Sequence, residues 1–389
     1  RMAGLCLHRH NPAMTEAFDE HYGYLSDRVK LERYQAAIEK VVRPDHVVLD
    51  LGCGSGLLGL LALKAGARKV LFVEQASIIE VARRTVSEAG FEDRALFFRA
   101  NSFELTLPER VDVVLCDHVG YFGFDYGVID LLADAKSRFL KTGGITIPAA
   151  VEIQLAPVES TSARALVQRW RDKSVLEDYA WVGTPAANTT HGVDLGPDDL
   201  LSDGRSLATL DLGEDTDDFL TWQAEFRCSR DAQLDGLVGW FDCLLHEDIR
   251  ISNSPVAENA LLRPQAFLPL EKPISVKAGQ RIDATIMVRP RDNIIAWVVE
   301  LPDTGQRFSL TTFNGLLLDD VALDRSRPDR IAKLNDRGRA RQIILGYCDG
   351  SRTVAEIEKL VLRDHPELFP SQQALQTFVR NALTWDTGE

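Results

Sequence analysis

Asp50, Gly52, Gly54 and Gly56 stand at alternate positions directly after an apolar run, and Glu74 follows at the end of the next one. Glycine carries no Cβ, so a backbone rich in it can pass close to a ligand. The run VVLDL suits a buried parallel strand, and LLGLLALKAG, ended by Gly66, suits a helix opening on the last of these glycines. A helix start of this kind offers unpaired N–H groups and a positive dipole end. Glu74 closes KVLFVE, where a carboxylate can accept both hydroxyls of a ribose. The same residues also contain Gly54-x-Gly56-x-x-Gly59 with Glu74 downstream, a pattern that serves NAD. Two details separate the readings. An NAD turn begins its glycine set immediately after the strand, and Gly52 already holds that place here. S-adenosylmethionine (SAM) has no pyrophosphate to seat, and its cationic methionine end favours a neighbouring carboxylate such as Asp50. SAM is the first reading and a nicotinamide dinucleotide the second.

The surrounding chain shows what must position these groups. A helical RVKLERYQAAIEK precedes the first strand; SIIEVARRTVSEAG, ALFFRA and VDVVLCD follow the second. Strands alternating with helices to residue 145 predict a Rossmann-like α/β domain over 1–145. After Gly143-Gly144 the apolar segments become strand-like, and Ile282, Ala284, Ile286 and Val288 alternate with more polar residues. Residues 146–318 are therefore expected to form an antiparallel β-barrel, interrupted by an arm over 161–205 that is long for a loop. Residues 319–389 turn helical again, with Ser351 and Thr353 as candidate caps, and form a third, small winged-helix-like module.

Composition narrows the function classes. The net charge of −14 argues against broad nucleic-acid binding. One basic stretch, Arg325 to Arg341, carries seven Arg/Lys against Asp329 and Asp336. It reads first as a solvated linker and second as a contact for an acidic partner. The six cysteines, Cys6 included, are scattered without metal spacing, so no metal is expected and a reducing compartment is. No apolar run approaches the ~20 residues of a membrane span, and the opening RMAGLCLHRHNPAM has no signal-peptide core. A cytoplasmic chain without membrane partners is expected.

Over about 300 residues the sequence resembles the protein arginine methyltransferases. HYGYLSDRVKLERYQAAI resembles that family's segment folding over the cofactor, with His21 on its histidine and Lys30 on the arginine that meets the SAM carboxylate. VVLDLGCGSGLLGLLALKAGARKVLFVE is similar to its first motif and ribose acid. The family's adenine-side acid falls on Phe103, beside Ser102 and Glu104. VDVVLCDHVGYFGFDY resembles the active loop, and 161–205 sits where the family carries a dimerisation arm. The resemblance implies a SAM-dependent enzyme that forms a homodimer.

The departures fall on the acceptor side. The family's loop has two glutamates that hold the substrate guanidinium; here those positions are Asp117 and Tyr126. Its Thr-His-Trp loop aligns with Ala260-Leu261-Leu262. A guanidinium is held best by opposed carboxylates, so the pocket reads as less negative and more apolar. Asp117 is the first candidate as orienter or base, His118 is the group with a reference pKa near neutrality, Asp125 could supply a second carboxylate, and Tyr121 is expected to pack under the loop.

Finally, IILGYCDGSRTVAEIEKLV resembles the PqqD-like modules that capture the leader of a ribosomally made precursor peptide as an added strand. Lys333 to Asn335 would then end a preceding strand. The combined reading is a methyltransferase acting on such a peptide; the alternatives are arginine methylation of cellular proteins and a degenerate scaffold.

Overall fold

The computed structural model describes residues 14–214 and 216–386, so Cys6 and most of the opening stretch lie outside the described residues. The chain divides into two compact units at Leu316, two residues before the boundary expected from sequence.

The first unit begins with helices α1 (Met14–Ser26) and α2 (Arg28–Val41). Strands β1 (Val47–Leu51), β2 (Lys69–Val73), β3 (Ala95–Phe98), β4 (Val111–Leu115) and β5 (Leu140–Ile147) alternate with helices α3 (Leu57–Lys64), α4 (Ile79–Glu88) and α5 (Val128–Arg138). The strands form one parallel sheet in the order β3-β2-β1-β4-β5. All five residues of β1 are buried, which is why its sequence is continuously apolar apart from Asp50. The strand order reverses at β1, so the crevice beyond its carboxyl end is the place where such sheets bind ligands.

Residues from Ala150 to Thr311 form two antiparallel sheets with separate hydrogen-bonding networks. The first joins β6 (Ala150–Val158), β7 (His191–Val193), β8 (Arg205–Asp211), β10 (Ala232–His246), β11 (Ile249–Ser252) and β12 (Gln265–Val276). The second joins β9 (Leu220–Arg227), β13 (Arg281–Arg289), β14 (Ile294–Leu301) and β15 (Gln306–Thr311). The alternating Ile282, Ala284, Ile286 and Val288 of β13 are all buried, so the period-2 pattern marks the inner face. Both sheets and the parallel sheet contribute to one continuous apolar core.

The segment expected to be an arm folds as α6 (Thr161–Gln168) and α7 (Gly183–Ala187) with short 3-10 turns between them, then returns to the sheet as β7. Arg164 ties α6 down: its Nε donates to Asp235 Oδ1 at 3.1 Å, and its fork donates to the Leu270 carbonyl at 2.8 and 2.9 Å.

The second unit comprises α8 (Asp320–Ser326), and α9 (Asp336–Gly346), α10 (Val354–Asp364) and α11 (Gln372–Asp386), which pack around a small core of their own. Thr353 caps α10 with Glu356 in a reciprocal pair, whereas Ser351 bonds Asp349 instead. No strand occurs in this unit among the described residues, so Lys333 to Asn335 does not end one. Among the described residues no helix is long and apolar enough to cross a membrane.

Candidate functional site

The glycine turn is built as its sequence requires. Gly52, Gly54 and Gly56 have φ of 68°, 52° and 82°, the left-handed region that side chains avoid. Gly52 and Cys53 donate their N–H groups to the Val73 carbonyl at 2.8 and 3.0 Å, which folds the turn back onto β2. A Cβ on Gly52 would come 2.1 Å from His118 Cε1, and one on Gly54 would come 2.5 Å from His21 Cε1. Two imidazoles thus roof the turn, one from α1 and one from the loop after β4. Burial lowers the pKa of both rings, which favours neutral imidazoles.

Two carboxylates hold the turn from beneath. Asp50 is buried and accepts the Gly59 N–H at 2.7 Å, at the start of α3. Burial pushes its carboxyl up to about 7, with the Gly59 bond acting against that rise. Glu74, just past β2, accepts the N–H of Gly54 at 3.2 Å and of Ala76 at 2.7 Å. Two cavities of about 490 and 230 Å³ adjoin here and share Gly52, Glu74, His118 and Tyr126. The larger runs past Ser102 and Phe103; the smaller is lined by His21, Lys30, Asp50 and Asp117. A cavity of that size suits a nucleoside-sized ligand.

The deeper end is governed by charge. Asp117 Oδ2 is paired with Lys30 Nζ and with Arg263 Nη2, the latter at 3.0 Å, while Oδ1 accepts the Tyr34 hydroxyl at 3.1 Å. Burial alone would raise the Asp117 pKa, but Arg263 and then Lys30 hold it well below the usual carboxylate range. Lys30 is placed by the cap of α2: Asp27 accepts the Lys30 N–H at 3.0 Å and, through its other oxygen, the Leu262 N–H at 2.8 Å. The loop carrying Leu262 and Arg263 is fixed from its other side by Asn253, which donates to the carbonyls of Tyr121 and Pro264 at 2.8 and 2.7 Å. Asp125 turns inward, accepting the N–H groups of Tyr121 and Phe122 at 2.9 and 2.8 Å. Tyr126 is partly exposed and packs against Tyr121 at 5.5 Å between ring centres.

Comparison with known proteins agrees with this geometry. Residues 35–188 match the family model "Ribosomal protein L11 methyltransferase (PrmA)", and residues 215–313 match "PRMT5 oligomerisation domain". Protein arginine N-methyltransferase 1.1 of Arabidopsis thaliana is 27% identical over 287 residues, covering 70% of this chain and 72% of that protein. Protein arginine N-methyltransferase 1 of Schizosaccharomyces pombe is 27% identical over 286 residues, covering 70% and 82%. Among solved structures, the Trypanosoma brucei PRMT1 enzyme-prozyme heterotetrameric complex with AdoHcy aligns with a TM-score of 0.65 at 19% identity, over 76% of this chain and 97% of that one. Arabidopsis thaliana protein arginine methyltransferase 10 aligns at 0.64 and 20% identity, over 77% and 99%. The chain is a SAM-dependent methyltransferase with the protein arginine methyltransferase fold.

In this methyltransferase the residues expected around SAM do converge: His21, Lys30, Asp50, Gly52, Gly54, Glu74, Ser102 and Phe103 all line the two cavities. Gly56 lies behind them, where a Cβ would meet Ala82 of α4 at 2.6 Å, so its role is helix packing. Asp117, His118, Asp125 and Tyr126 also reach the cavities, but Asp125 has both oxygens committed to the loop backbone. Sequence reasoning missed Arg263. Its signal was present as a lone charge in the apolar run ALLRPQAF, directly after the three residues where the Thr-His-Trp loop had been replaced.

Proposed function

We propose that this methyltransferase transfers a methyl group from SAM to a protein side chain, and that arginine is its acceptor. The single observation carrying the cofactor side is the glycine turn closed by Glu74 and roofed by His21 and His118. The donor would lie along the turn with its ribose on Glu74, its cationic methionine end toward Asp50 and its carboxylate toward Lys30. SAM supplies an electrophilic methyl on a sulfonium, so the protein's work is to align an acceptor lone pair behind that methyl and to exclude water. The arginine acceptor rests on the relatives, which are protein arginine methyltransferases by name. The test is a hydrolysate of a Gly/Arg-rich protein labelled from methyl-tritiated SAM. Methylarginine supports the reading; label on another residue type alone removes it. SAM binding with no transfer to any protein would instead indicate a degenerate scaffold.

A precursor peptide with its leader held by residues 319–389 has support only in the segment CDGSRTVAEI. The C-terminal unit is helical and offers no strand edge among its described residues, so we place this acceptor behind arginine.

Asp50 gives a pH prediction for the same site. A carboxyl near 7 is mostly protonated at pH 6, whereas a cationic ligand beside it favours the ionised form. Binding of SAM should therefore release a proton below pH 7, and affinity should rise by up to about tenfold per pH unit until Asp50 is already ionised. Isothermal titration in two buffers of different ionisation enthalpy measures that proton directly. Absence of proton release at pH 6 would show that Asp50 does not face the cation.

We also propose a homodimer through the segment 161–205. Leu176, Tyr179 and Trp181 stand exposed along it, an apolar patch of the kind that marks an interface. The double variant Tyr179→Ser/Trp181→Ser should shift the protein to a smaller species in sedimentation velocity; an unchanged profile would place the interface elsewhere.

A further inference from the structure

We infer that Arg263 occupies, at Asp117, the place an acceptor guanidinium needs, and so sets how well this enzyme accepts arginine. The inference rests on the arginine reading above and deepens it. Asp117 is the only carboxylate at the first of the two acceptor positions, and Tyr126 stands at the second. Asp117 meets three donors among the described residues: the Tyr34 hydroxyl, Lys30 Nζ and Arg263 Nη2. These charged side chains are close to fully enclosed, at 14% exposure for Asp117, 6% for Lys30 and 10% for Arg263.

The other carboxylates lining the smaller cavity already accept hydrogen bonds. Asp50 and Glu74 hold the glycine turn, and Glu20 accepts the Tyr24 hydroxyl at 2.7 Å. Asp125 holds the loop backbone. Lys30 and Arg263 therefore share one carboxylate, Asp117. An acceptor guanidinium would add a third cation against that one carboxylate, a heavily penalised arrangement when buried.

Arg263 is also presented rigidly and incompletely satisfied. Its loop is pinned by Asp27 through Leu262 and by Asn253 through Pro264. Its Nη1 is buried without a hydrogen-bond partner among the described residues, so one arm of the fork contributes only charge. An arginine acceptor must displace Arg263 from Asp117 or do without that carboxylate. Arg263 is thus a positioning residue for Asp117 and a determinant of acceptor choice.

The experiment uses the full chain, as wild type, Arg263→Met and Arg263→Lys, each saturated with S-adenosylhomocysteine. A Gly-rich peptide with one arginine, and the same peptide with uncharged citrulline in its place, are titrated by fluorescence anisotropy. Wild type and Arg263→Lys should bind the two peptides alike. Arg263→Met should bind the arginine peptide about tenfold more tightly and the citrulline peptide unchanged. An arginine preference of tenfold or more in the wild type would overturn the inference even if Arg263→Met failed to fold, as would equal or weaker arginine binding by a folded Arg263→Met. Methylarginine analysis with SAM separates the two proposals. Tighter arginine binding without methylarginine in any variant would remove the arginine reading and leave the role of Arg263 standing. Methylarginine formed by wild type and not increased by Arg263→Met would do the reverse.

Discussion

Glu74→Ala should lower the affinity for SAM about 100-fold and leave the fold intact. Glu74 lies half-buried just past β2 and is not part of the apolar core. Its two oxygens accept the N–H groups of Gly54 and Ala76, so the carboxylate both shapes the turn and faces the cavity. On the proposed placement it would also accept two ribose hydroxyls. A hydrogen bond to a charged group contributes about 1.5–3 kcal/mol, and loss of two such bonds corresponds to at least the stated factor. Glu74→Gln, which keeps an acceptor without the charge, should fall between. Titration of S-adenosylhomocysteine measures all three proteins. Affinity within a few-fold of wild type for Glu74→Ala would remove the ribose from this position.

The second large effect concerns stability. Asp117→Asn should cost about 3–5 kcal/mol, because it leaves Lys30 and Arg263 buried without their shared counter-charge. Turnover should fall with it. Adding Arg263→Met to Asp117→Asn removes one of the stranded cations and should restore much of the loss. Urea unfolding of the four proteins in this cycle gives the coupling directly. Additive effects would mean that the two side chains do not share a charge balance in solution. The sign of the pH dependence follows from the depressed carboxyl. Its stabilisation is present above the ordinary carboxylate range, and it is lost only as the pH falls through the lower folded value. The wild type should therefore keep this contribution at pH 5.

The cofactor half of the site was legible in the sequence for a physical reason. A left-handed turn between a buried strand and a helix admits only glycine in several places, and the carboxylate that holds it stands just past the next strand, so spacing places Gly52, Gly54 and Glu74 together. Lys30 was legible only through resemblance, since nothing in RVKLERYQ indicates that this lysine is buried and the arginines beside it are not. The acceptor half was not legible. Asp117 and Arg263 are 146 residues apart and meet because Asp27 and Asn253 fix two loops against the sheet. Asp125 illustrates the same limit. In sequence it looks like a spare carboxylate one position out of register; in the fold it caps its own loop. In the C-terminal segment a capped helix pair reads alike whether or not a strand precedes it, and none does among the described residues.

The central claim is that a retained SAM site serves methyl transfer to arginine in a protein. The most direct test is the amino-acid hydrolysate of a Gly/Arg-rich protein incubated with the full chain and methyl-tritiated SAM. Label is expected in methylarginine, more with Arg263→Met than with wild type and far less with Glu74→Ala at a SAM concentration that half-saturates the wild type. Label confined to another residue type, or no label from a protein that binds SAM, would contradict it.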